Sequence, residues 1–110
     1  MRDTSAELGR FSDPGFLILA SLAAGPKHGY AIMEDIAAFS GTRFEPGTLY
    51  GALARLEHGG FVAPLAADDR RRPYRLTDAG RAVLDARLAT LERVVRTGRE
   101  RLSATVGLRA

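Results

Sequence analysis

Residues 47–56 read Gly47-Thr48-Leu49-Tyr50-Gly51-Ala52-Leu53-Ala54-Arg55-Leu56, GTLYGALARL. With successive residues turned by about 100°, Leu49, Ala52, Leu53 and Leu56 fall on one side and define the buried face of a helix. The opposite side holds Gly47, Gly51, Ala54 and His58, flanked by Tyr50 on one edge and by Thr48 and Arg55 on the other. An exposed helix face ordinarily carries lysine and glutamate, and a glycine inside a helix costs about 1 kcal/mol relative to alanine. A face cleared of bulk lets a second surface approach the backbone, with Thr48, Tyr50 and Arg55 as hydrogen-bonding groups around it. From this pattern alone the second surface is either a DNA groove or another protein helix.

Two further helices precede this one. Asp13 followed by Pro14 is an N-cap with proline at the first helical position, and Phe16, Leu17, Leu19, Ala20 and Leu22 follow until Gly25-Pro26, which predicts a helix over about 14–24. A second begins near His28-Gly29-Tyr30 and runs to about Phe39, with Ile32, Met33, Ile36 and Phe39 on its apolar side. Glu34 and Asp35 fall on the opposite, solvated side. The third starts at Pro46 and ends at His58-Gly59-Gly60.

Beyond it, Phe61–Leu65 is short and apolar, 66–72 is polar, and Pro73–Leu76 resumes an extended pattern. The expectation is a β-hairpin with a basic tip, Arg70-Arg71-Arg72, beside Asp68-Asp69. Pro73 requires an unpaired strand edge, because it lacks an N–H. Three helices followed by a hairpin describe a winged helix-turn-helix, in which the third helix enters the major groove and the hairpin tip reaches the backbone or the minor groove. Arginines at such a tip neutralise phosphates.

Thr77 then caps a long fourth helix running to about Ser103. Leu84, Leu88, Leu91, Val95 and Leu102 form a heptad stripe along it. A helix of about 27 residues is about 40 Å long, more than so small a domain covers, so its far half calls for a second copy of the chain. The expected fold class is mainly α with a small β-hairpin, divided into a flexible N-terminal segment (1–12), a winged helix-turn-helix domain (13–77) and a C-terminal dimerisation helix and tail (78–110).

Composition agrees with one such domain. The chain has 110 residues, 45% of them apolar and 26% charged, with net charge +3. Residues 1–60 carry net −2 and residues 61–110 net +5, so positive potential gathers in the half that holds the wing, as suits a polyanion partner. No run reaches the length of a membrane span, and the polar start and the absence of cysteine point to a reducing cytoplasm. Catalysis is not expected: the two histidines, His28 and His58, lie at helix ends with no metal-ligand companion, and no phosphate loop is present. Neither a cofactor nor a metal is called for. His28 reads as a capping or phosphate-facing residue.

Three blocks, Gly25-Pro26-Lys27-His28-Gly29-Tyr30-Ala31-Ile32, then Pro46-Gly47-Thr48-Leu49-Tyr50 with Ala52-Leu53 and Arg55-Leu56-Glu57, then Arg71-Arg72-Pro73-Tyr74-Arg75-Leu76-Thr77-Asp78-Ala79-Gly80, resemble the PadR family of bacterial transcriptional regulators. The resemblance implies a ligand-responsive, homodimeric winged-helix repressor of the short subfamily, acting on duplex DNA at a near-palindromic operator. It implies DNA contact by Tyr30, by Thr48, Leu49 and Tyr50, and by the wing arginines Arg70, Arg71 and Arg72. Gly51 stands where many members have proline, and the chain lacks the tryptophan of the drug-sensing relatives. The family's inducers are small, often aromatic molecules. Any such effector is expected between the first and last helices, near Phe16, Leu17 and Leu91. The alternative is a winged-helix module that binds another protein.

Overall fold

The computed structural model describes residues 13–67 and 70–109, with side chains as far as Thr105. The expected N-terminal segment 1–12 and the Asp68-Asp69 pair lie outside the described residues.

Helix α1, Pro14–Leu22, starts as its sequence dictates: the Gly15 N–H donates to Asp13 Oδ1 at 2.9 Å, and Pro14 supplies the first helical residue. Helix α2, Gly29–Ser40, is capped by His28 and closed by Gly41, whose φ of 77° is the left-handed conformation that favours glycine. Helix α3, Pro46–His58, has the boundaries its sequence suggests. These three pack through Leu17, Ile18, Leu19 and Leu22, through Ile32, Met33 and Ile36, and through Leu49, Ala52 and Leu53. Burying each large aliphatic side chain contributes about 1.5–3 kcal/mol, which fixes the face that α3 leaves outside.

The sheet differs from the expected two-stranded hairpin. It has three antiparallel strands in the order β1-β3-β2, where β1 is Lys27–His28, β2 is Val62–Pro64 and β3 is Pro73–Leu76. Lys27 pairs with Tyr74 and His28 with Pro73 on one side, while Val62 pairs with Leu76 and Pro64 with Tyr74 on the other. Pro73 therefore lies in the central strand and not at an unpaired edge. It is tolerated as the first residue of the strand, where its carbonyl still accepts from the Leu65 N–H at 2.8 Å.

Helix α4, Asp78–Arg109, is joined to the wing through Thr77. The Thr77 N–H donates to the Phe61 carbonyl at 3.1 Å, its hydroxyl donates to the Gly60 carbonyl at 2.7 Å, and the Gly80 N–H donates to that hydroxyl at 3.0 Å. Gly80 packs so closely that any β-carbon there would collide with the Phe61 carbonyl oxygen. The helix has 32 residues and continues beyond the expected end near Ser103, for a length of about 48 Å. Leu84 belongs to the core, and Leu91 is half-buried. Every side chain from Glu92 to Thr105 is exposed.

Candidate nucleic-acid interface

The cleared face of α3 is open. Gly47, Thr48, Tyr50, Ala54 and Arg55 are exposed and Gly51 is half-buried. Among the described residues a β-carbon at Gly47 would meet nothing within 4 Å, and one at Gly51 only the Arg55 guanidinium at 3.6 Å, so packing against them requires neither glycine. Glu45 makes no side-chain bond to the first turn of α3, so that turn's N–H groups lack the side-chain partner that commonly satisfies them.

Leu49 is the exception among the recognition-helix residues implied by the resemblance. Its side chain is fully buried, directed into the core by the same periodicity that clears the opposite face. It anchors α3 and presents nothing to a groove.

Beside the first turn of α3, three elements meet at a cleft of about 460 Å³. Tyr50 enters from α3, Tyr30 and Gly29 from α2, and Arg70, Arg71 and Arg72 from the wing. Tyr30 and Tyr50 are 59% and 47% exposed, unusual for aromatic side chains with an apolar core nearby to enter. None of the described residues lining the cleft is acidic. Arg70 has φ 72°, uncommon for a residue with a side chain, and turns the tip into β3. Thr48, in the first turn of α3, and Arg55, in its second half, do not line the cleft.

Both ends of α2 are held by polar contacts absent from the sequence reading. Arg43 donates to both oxygens of Glu34, at 2.6 and 3.1 Å. This grip holds the Glu34 carboxyl below the usual carboxylate range. Asp35 accepts from the buried Ser21 hydroxyl at 2.7 Å, and Lys27 donates to the Ser21 carbonyl at 2.6 Å. Asp35, expected as solvated surface with Glu34, thus ties α2 to the turn that precedes it, while Glu34 ties α2 to the connection leading to α3.

Away from this face, Leu88, Val95 and Leu102 are exposed along α4, at 39%, 58% and 66%. Leu84, placed by spacing in the same stripe, is only 5% exposed and belongs to its own chain's core. A cavity of about 250 Å³ lies between α1 and α4, lined by Phe16, Leu19, Leu56, Phe61 and Val83, with Arg87 over the Phe16 ring at 5.3 Å. Leu17 is buried in the core and Leu91 sits further along α4, so neither lines this cavity. Among the described residues no cluster could hold a metal, and no helix is long and apolar enough to cross a membrane.

Comparison with known proteins gives the following. The model of the transcriptional regulator PadR-like family matches residues 18–86. The chain is 39% identical over 82 residues to a transcriptional regulator of Mycobacterium tuberculosis, covering 72% of this chain and 76% of that protein. It is 48% identical over 85 residues to a 37.1 kDa protein encoded in a transposon of Streptomyces fradiae, covering 77% of this chain but 25% of that protein. The chain thus spans about a quarter of the length of the Streptomyces relative. In fold it is similar to a PadR family regulator from Clostridium difficile, with a TM-score of 0.73 at 22% identity over 81% of this chain and 97% of the other.

Proposed function

Because the chain belongs to the PadR-like family of transcriptional regulators, we propose that it binds a near-palindromic operator as a homodimer and represses transcription. At the coarser level it is a DNA-binding regulator and not an enzyme. The observation that carries the finer reading is the cleft where Tyr50 on the cleared helix meets Arg70, Arg71 and Arg72, some twenty residues later in the chain.

In this reading α3 lies in the major groove. Gly47 and Gly51 let its backbone approach, Thr48, Tyr50 and Arg55 contact base edges and sugar-phosphate, and the uncapped first-turn amides face a phosphate. Tyr30 and the wing arginines hold the backbone on either side, and Leu49 supports the helix from beneath. Leu88, Leu91, Val95 and Leu102 of two copies pack about a two-fold axis, with Leu84 fixing each α4 to its own domain. Symmetry then sets two half-sites about one helical turn apart. Repression is relieved by a small aromatic molecule held near Phe16, with Leu17 beneath and Leu91 further along α4. The protein acts in the cytoplasm, where it meets duplex DNA.

The test is binding to duplexes selected from a random pool, measured as a function of salt. Each phosphate neutralised contributes about 0.9 to the slope of log affinity against log salt. Arg71→Ala with Arg72→Ala should lower both affinity and slope, the latter by about 1.8 per protomer and about 3.6 for the dimer. Binding that is equal on every sequence removes the operator, and an unchanged slope removes the wing contact.

A further inference from the structure

His28 stands where β1 ends and α2 begins, and both of its ring nitrogens face hydrogen-bond donors. Nδ1 lies 3.4 Å from the Ala31 backbone N–H, and Nε2 lies 3.2 Å from Arg71 Nη1. A neutral imidazole has one acceptor nitrogen, and an imidazolium has none. If Nδ1 caps α2, Nε2 carries a proton that points at an arginine; if Nε2 accepts from Arg71, Nδ1–H points at an amide. Neither tautomer satisfies the arrangement. What it lacks is an acceptor with several lone pairs that Arg71 and Nε2–H can reach together.

Resting on the DNA-binding reading above, we propose that His28 and Arg71 form a clamp for one backbone phosphate of duplex DNA, and that the imidazole makes the affinity depend on pH. A phosphate oxygen accepts from Arg71 and from His28 Nε2–H at once, which leaves Nδ1 free to cap α2. The charges around the ring fit an anion. Arg70, Arg71 and Arg72 come from the wing, and among the described residues the other titratable groups lining the cleft are the phenols of Tyr30, Tyr50 and Tyr74. Lys27, next along β1, is turned toward the Ser21 carbonyl at 2.6 Å and Asp35 at 3.9 Å. A phosphate held by Arg71 gives an imidazolium at His28 a charge-assisted hydrogen bond that the empty cleft does not offer. Binding DNA therefore takes up a proton, and affinity rises as pH falls through the range in which histidine ordinarily titrates.

Phosphate contact needs no operator, so a mixed-sequence duplex of about 30 base pairs is the probe, at constant ionic strength between about pH 5.5 and 8.5. The wild type should bind more tightly as pH falls, by up to about tenfold per unit for each protomer that takes up one proton. His28→Asn keeps a good capping oxygen but removes the second arm. It should flatten this dependence, weaken binding near pH 6 and leave the melting curve unchanged. A slope that survives in His28→Asn, or that disappears in His58→Gln instead, overturns the clamp while leaving the DNA reading standing. Wild-type protein that binds no duplex at any pH in low salt overturns the DNA reading itself. Independently of variants, the chain has only two histidines, so nitrogen NMR of the rings reports each. The His28 titration midpoint should move up on adding duplex, and a midpoint that stays put overturns the proposal.

Discussion

The phenol of Tyr50 occupies the space in which any side chain at Gly29 would stand: a β-carbon there would lie 2.5 Å from Tyr50 Cε1, Cζ and Oη. The two residues belong to different helices, and their contact sets the direction of Tyr50 beside the wing. The colliding atoms are the outer end of a half-exposed ring, so relief comes by swinging the ring away and not by unfolding. Gly29→Ala should therefore cost less than about 1.5 kcal/mol in urea unfolding yet weaken duplex binding as much as Tyr50→Ala. In a double-mutant cycle the two binding losses should be strongly non-additive. Additive losses would separate Gly29 from the orientation of Tyr50.

Gly51 offers a test in which stability and binding move in opposite directions. A β-carbon there meets only the Arg55 guanidinium, at an ordinary contact distance of 3.6 Å, so Gly51→Ala should stabilise the fold by about 0.5–1 kcal/mol. If the open face is there for a groove, the same change weakens operator binding by a few-fold or shifts the preferred base pair. A variant that is more stable and binds unchanged would show that the clearance has no role in recognition.

The stripe on α4 divides into two kinds of leucine. Leu84 is packed in its own chain, so Leu84→Ala should leave a cavity and cost about 2–5 kcal/mol of protomer stability. Leu88→Glu with Val95→Glu falls on exposed positions and should leave the domain folded but shift sedimentation to the monomer and weaken DNA binding. A dimer that survives this pair would place the two-fold contact elsewhere.

The Glu34–Arg43 pair predicts a pH response of known sign. The folded-state pKa of Glu34 is lowered, first by the hydrogen bonds from Arg43. The pair's stabilisation is present above the ordinary glutamate range and is lost as pH falls through the lowered folded value. In carbon NMR, Arg43→Gln should raise the Glu34 titration toward the ordinary value. Wild-type and variant stabilities should converge at acid pH. Both side chains are exposed, so the effect on stability is small.

Periodicity and capping made the helices legible, because Asp13-Pro14, Ser40-Gly41 and Pro46 act through neighbours along the chain. β1 was not legible: Lys27–His28 is two residues long and is a strand only because Tyr74 and Pro73 pair with it. That pairing also moved Pro73 from the expected edge to the centre of the sheet. At the candidate interface, helical spacing separated the cleared face from the buried one, including Leu49, whose burial its own periodicity had indicated. The Gly29–Tyr50 and His28–Arg71 contacts join residues far apart in sequence and carry no local pattern. Leu84 shows a related limit, since a heptad stripe cannot reveal where a helix leaves its own domain.

Thr77 binds the end of the wing to the start of α4 with three hydrogen bonds, and Gly80 lets the helix sit directly on that joint. A straight helix of about 48 Å fixed at one end is a lever, with Thr77 as its fulcrum. A tilt of about 5° there moves the far end by about 4 Å. In the proposed dimer a small repacking between two such arms would move the heads that carry Tyr50 and Arg71 in proportion, as a caliper whose jaw gap is set at the hinge end.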